Sequence, residues 1–163
     1  MRVKHLSNGV CISESDFINN KAIQDYRLKQ YKCGSIIFQK SGESTKLGRV
    51  NIFPFDAYVV NHLAIIDKSC NKNLEFIYFN MKMLYEELIE ELSGTTLPYL
   101  RISDIKNKFI LLPPSNILQK FQSLTEPLFQ KIILNQKQII LLRKVRDTLL
   151  PLLVFGRLRV EEI

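Results

Sequence analysis

With 163 residues, 46% of them hydrophobic, and a mean hydropathy of -0.01, the chain can fill one ordinary domain with an appendage and is too apolar to be disordered. Its longest apolar runs, such as 149–155, fall far short of the roughly 20 residues that a helical membrane span demands. A formal net charge of +7 and a pI near 9.4 suit a polyanionic partner without requiring one.

Met1-Arg2-Val3-Lys4-His5 leads into a polar turn and not an apolar leader, so a cytoplasmic protein is expected. Residues 3–6 and 10–13 flank Ser7-Asn8-Gly9, and Asn-Gly supplies the positive φ angles of a tight hairpin. A polar stretch follows to about Lys32. Residues 35–39 then read as a short buried strand, with 49–53 as its partner and a loop between them that carries Gly42 and Gly48. Residues 57–67, rich in β-branched and aromatic side chains, read as one longer strand. From Leu74 to Leu92, apolar residues recur at three and four (Leu74, Ile77, Tyr78, Met81, Leu84, Tyr85, Leu88), which predicts an amphipathic helix that Asn73 can cap and Gly94 can end. A polar link leads to a short turn at Ser103-Asp104, and 108–112 reads as a strand stopped by Pro113-Pro114.

Beyond Ser115 the character turns helical. Ser115 is placed as the cap of a short helix, and Pro127 is placed in the first turn of a long one running from about 126 to 150. Leu128, Ile132, Asn135, Ile139, Leu142, Arg146 and Leu149 alternate at four and three, a heptad seam with two polar members. Ile133, Leu134, Ile140, Leu141 and Val145 widen the stripe beyond what a lone helix tolerates. The helix therefore packs on something: its own globule, a second copy or another protein. The fold expected is a mixed α/β (α+β) globule over 1–114 followed by a coiled-coil-type helix and tail over 115–163.

Chemistry is sparse. His5 and His62 are separate and lack a paired carboxylate or cysteine at useful spacing, so they read as strand residues. Cys11, Cys33 and Cys70 are odd in number, far apart and best read as free thiols in a reducing compartment. No catalytic set, metal or cofactor is expected. Charge is uneven: Lys21, Arg27, Lys29, Lys32, Lys40, Lys46 and Arg49 meet only Asp25 and Glu43 between them, while Glu86, Glu87, Glu90 and Glu91 make a later helix acidic.

Five segments, in order, resemble the DNA specificity subunits of type I restriction–modification systems. Lys32-Cys33-Gly34-Ser35-Ile36-Ile37-Phe38 is similar to the family's Lys-x-Gly-Asp-Ile-Leu-Phe strand, with Ser35 where Asp is usual. Leu47-Gly48-Arg49 matches its glycine-bearing connection, and Ser93-Gly94-Thr95-Thr96 with Leu100 its Ser-Gly-Ser/Thr element. Phe109 to Pro114 resembles its Ile-Pro-Leu-Pro-Pro run. The ending 142–157, with Leu-Leu-Pro-x-Leu followed by Gly and Arg, is the most specific of the five. Two departures stand out. Ser115-Asn116 replaces the usual Glu-Gln, and the chain opens where a recognition domain is already under way, which resembles a truncated half-subunit.

The resemblance implies a non-catalytic protein that reads a half-site in double-stranded DNA. It would position adenine methyltransferase subunits and, through them, a restriction/translocase subunit. Lys40, Lys46 and Arg49 are placed on phosphate, and Ser41, Glu43, Ser44 and Thr45 on base edges. Thr95, Thr96, Tyr99 and Arg101 form a second locus; Asn19, Asn20, Lys21 and Arg27 form a weaker third. Leu128, Ile132, Asn135, Ile139, Leu142 and Leu149 would pair the helix with a second copy in a homodimer. Leu149, Leu150, Leu152, Leu153 and Arg157 would face the methyltransferase. Two other readings stay open: a helical interaction protein that binds no DNA, and a silent, truncated specificity cassette.

Overall fold

The computed structural model describes residues 2, 5–7, 10–11, 17–70, 73–91 and 99–157. Its strands pair antiparallel in three small sheets. The opening hairpin joins β1 (Leu6–Ser7) to β2 (Val10–Cys11), with Leu6 opposite Cys11; its Asn8-Gly9 turn lies outside the described residues. A short helix, α1 (Asn20–Asp25), follows, and its first N–H groups at Lys21 and Ala22 bond to the Asn19 side chain.

β3 (Gln30–Tyr31) pairs with β6 (Ala57–Tyr58), and β4 (Ile36–Gln39) is the central strand between β5 (Val50–Ile52) and β7 (Leu63–Ile66). The expected partnership of 35–39 with 49–53 is therefore present. The single strand expected over 57–67 is not. The chain turns at Asn61-His62, so β6 and β7 serve different sheets. β-Propensity runs through the turn because Val59 and Val60 pack against the apolar cluster of Ile37, Phe53 and Leu63 while lying outside any ladder.

Both faces of the β4 sheet are covered, which is why β4 is buried at every position. Ile36, Phe38, Val50 and Ala64 meet Leu74, Met81, Tyr85 and Leu88 of α2 (Leu74–Glu91). Ile37 meets Leu6, Phe53, Ala57 and Leu63 on the other side. The Tyr85 hydroxyl donates to the Gln39 carbonyl, which satisfies a phenol that would otherwise be buried without a partner. Burial pushes that phenol well above its ordinary pKa.

After α3 (Ile102–Lys106) the expected strand 108–112 is absent. Phe109 and Leu111 are almost wholly exposed, since no strand among the described residues runs beside them to pair with.

α4 spans Ser115–Val154, 40 residues, or roughly 60 Å at 1.5 Å per residue. The break expected at Pro127 does not occur. The ring deprives one carbonyl of its donor, yet Phe121 before it and Phe129 after it both meet Phe79 edge-on (6.1 and 5.9 Å between centroids). Packing on α2 thus holds both sides of the proline in line. Ser115 is not a cap either; it is the first helical residue, and Pro114 holds the cap position without a side-chain bond. The helix stops where Gly156 adopts φ 64°. Its N–H bonds to Leu153 O and that of Arg157 to Leu152 O, the paired closure that a left-handed glycine permits.

Candidate nucleic-acid interface

β4 and β7 run with Gln39 opposite Leu63, and one step further Lys40 N–H donates to His62 O (3.0 Å). The other edge of Lys40 is used too: Leu100 N–H donates to its carbonyl (2.7 Å), and Ser41 forms a bridge with Tyr99. Gln39 Nε2 caps the Ser41 carbonyl at 2.7 Å, and Ser41 Oγ lies 2.9 Å from His62 Nδ1. Leu100 is buried as an anchor, which leaves its neighbours Tyr99 and Arg101 outward. Three segments that lie far apart in sequence, 40–41, 61–62 and 99–101, thus form one surface that carries Lys40, Ser41, His62, Tyr99 and Arg101.

Next to Ser41 the chain makes a tight 3-10 turn over Glu43–Leu47 between Gly42 (φ 93°) and Gly48 (φ 59°), angles that side-chain-bearing residues rarely adopt. Lys46 and Leu47 project outward from it. Two residues placed here for DNA contact turn inward instead. Thr45 is fully buried and cannot reach a base edge, because the turn directs its side chain under the loop. Arg49 is half-buried and gives Nη1 to the Leu6 carbonyl (3.2 Å), so it ties the β1–β2 hairpin to β5. The side chains of Glu43 and Ser44, and both Thr95 and Thr96, lie outside the described residues. The third locus sits on and just beyond α1. Asn19 is consumed as its cap, while Asn20, Lys21 and Arg27 are exposed.

His62 is the residue that sequence reasoning passed over. Reading 57–67 as one strand hid the turn that sets it opposite Ser41; a break at Asn61-His62 would have shown the register.

A groove of about 930 Å³ opens beside this surface, lined by His62, the 55–61 segment, Ile23 of α1 and the α4 residues Lys137, Ile140, Leu141 and Lys144. Asp56 lies in it, held by Lys32 Nζ (2.8 Å) and by Cys33 N–H (2.8 Å). The Lys32 hydrogen bond is the main reason its carboxyl sits below the usual range, and Lys137 adds a weaker pull.

α4 shows two apolar stripes. Leu118, Phe129, Ile133 and Ile140 are buried, with Gln136 among them. The expected seam lies about a third of a turn away at 3.6 residues per turn. Leu128, Ile132, Asn135, Ile139 and Leu142 are exposed there, and Leu149 is half-buried. In the last turns Leu150 and Leu153 are exposed, Leu152 is half-buried, and Arg157 lies exposed in the closure. Among the described residues no helix is long and apolar enough to cross a membrane.

A family model described as the type I restriction modification DNA specificity domain matches residues 4–144. The chain is also 61% identical, over its whole length, to the type I restriction enzyme MjaIX specificity subunit of Methanocaldococcus jannaschii, of which it spans 38%.

Proposed function

Because the chain belongs to the type I restriction–modification DNA specificity family, we propose that it reads sequence in double-stranded DNA and leaves methylation and cleavage to other subunits. The observation that carries this is the junction at Lys40-Ser41. It fuses the 40–48 loop, the 61–62 turn and the 99–101 segment into one surface with cations (Lys40, Lys46, Arg101) beside short polar and aromatic groups (Ser41, His62, Tyr99). Cations hold phosphate and set the register, while hydroxyl, imidazole and phenol groups can meet base edges.

In this reading residues 1–114 are the recognition domain and 115–163 the spacer and dock. Leu128, Ile132, Asn135, Ile139, Leu142 and Leu149 pair α4 with a second such helix in a coiled coil. A homodimer formed that way reads a symmetric bipartite site. The end of α4 (Leu149, Leu150, Leu152, Leu153, Arg157) meets adenine methyltransferase subunits and, through them, the restriction/translocase subunit, in the cytoplasm.

The test is affinity for duplex DNA as a function of salt, for the chain and for its Lys46→Ala and Arg101→Ala variants. Affinity should fall steeply with salt, and each variant should flatten the slope by about one. A protein that associates through its helix but shows no salt-dependent DNA affinity would be the interaction protein instead.

A further inference from the structure

We propose that α4 contacts DNA phosphates itself, through Lys137 and Lys144, so that the helix forms part of the interface and not only its support. This rests on the DNA-reading function above. The two lysines are exposed and seven residues apart, so they share one side of the helix and stand roughly 10 Å apart along it. That span equals about three base-pair rises measured along the axis of B-DNA.

Their position on the helix matters more than their charge. Both flank the buried stripe on the side that lines the groove, away from the seam of Leu128 and Leu142. The groove brings both lysines and His62 of the recognition surface together. His62 lines it while its Nδ1 engages Ser41 Oγ, so the lysines and the recognition loop open onto the same concavity. Arg2 adds a third formal positive charge to the described lining. Asp56, the carboxylate among those lining residues, is engaged chiefly by Lys32 and by Cys33 N–H, with Lys137 as a weaker neighbour. Phe55, Val59 and Ile140 wall the groove with apolar surface, and low-dielectric walls strengthen the field of the charges beside them. A polyanion lying across Ser41 and His62 would therefore meet Lys137 and Lys144 next.

The experiment measures affinity for a mixed-sequence duplex between about 50 and 200 mM salt, with Lys137→Gln/Lys144→Gln as the variant. Lys131→Gln is the control, an exposed lysine on the far side of α4. The double variant should lower the slope of log affinity against log salt by about 1.8, since each phosphate that a lysine neutralises adds about 0.9 to it. The control should leave the slope unchanged. If the double variant keeps the parental slope while Lys46→Ala and Arg101→Ala reduce it, the helix contact is wrong and the recognition surface stands. If the slope holds but the methyltransferase no longer co-purifies, the lysines face an acidic protein surface, which also overturns the proposal. A parental chain without salt-dependent affinity would remove the DNA-reading function itself.

Discussion

α4 carries two apolar stripes of similar composition, one buried on its own globule and the other left to solvent. Phe129 and Ile133 pack against Ile52 and Tyr78, while Leu128 and Leu142, on the same helix, are about two-thirds exposed (63% and 66%). The pattern of spacing is alike in both; what differs is the availability of α2. Its Phe76, Phe79 and Tyr78 offer ring edges to Phe121 and Phe129, while Leu128 and Leu142 of the seam stay exposed. Intramolecular folding and surplus apolar surface are thus not alternatives. One stripe orients the helix, and that orientation presents the other.

Substitution separates the two stripes. Phe129→Ala should cost about 3–5 kcal/mol, the range for truncating a buried aromatic residue, because it empties the contact to Tyr78, Phe79 and Ile52 at once. Chemical denaturation would read this directly, and a cost within ~0.5 kcal/mol, the ordinary surface range, would mean α4 is not docked on α2. Leu128→Glu with Leu142→Glu should do the reverse. Stability of the single chain should stay within about 0.5 kcal/mol, since both side chains are exposed, while self-association measured by light scattering disappears. A double variant that associates as the parent does would show that the seam is not the pairing surface.

The elements that were legible are those whose partners lie nearby in sequence. The 35–39 strand with its 49–53 partner and the 74–91 helix announce themselves by alternation and by spacing at three and four. What was hidden depended on distant contacts. The proline at 127 looks like a helix start until Phe79 is seen to hold Phe121 and Phe129 in one line. Residues 108–112 have the composition of a strand, yet a strand exists only with a neighbour to pair with. The interface was half legible. Basic and polar residues marked both loops, but the Ser41–Tyr99 bridge that joins them links residues 58 apart in sequence, and Thr45 and Arg49 turn inward for reasons of loop geometry and hairpin docking.

Two smaller effects bear on the globule that the buried stripe stabilises. Tyr85→Phe removes the donor to the Gln39 carbonyl at the base of the Lys40-Ser41 junction and should cost about 1 kcal/mol, the usual net value of one hydrogen bond. The parental stability in that variant would place the junction's support elsewhere.

The least effect should come from Asp67, whose carboxyl sits below its ordinary value chiefly because Lys29 Nζ hydrogen-bonds it (2.8 Å), with the Ser69 N–H as a second donor. A carboxyl depressed in the folded state contributes stability that is fully present above the unfolded value of about 3.9 and is lost as pH falls through the folded value. Asp67→Asn should therefore lower stability slightly at neutral pH and flatten its decline between about pH 5 and pH 2, as followed by denaturant midpoints across that range. The ammonium partner is well exposed, so solvent screens much of the attraction and the difference will be small. Identical pH profiles for parent and variant would mean that the Lys29 contact, which joins the 26–29 turn to the end of β7, contributes nothing to holding α1 beside the groove.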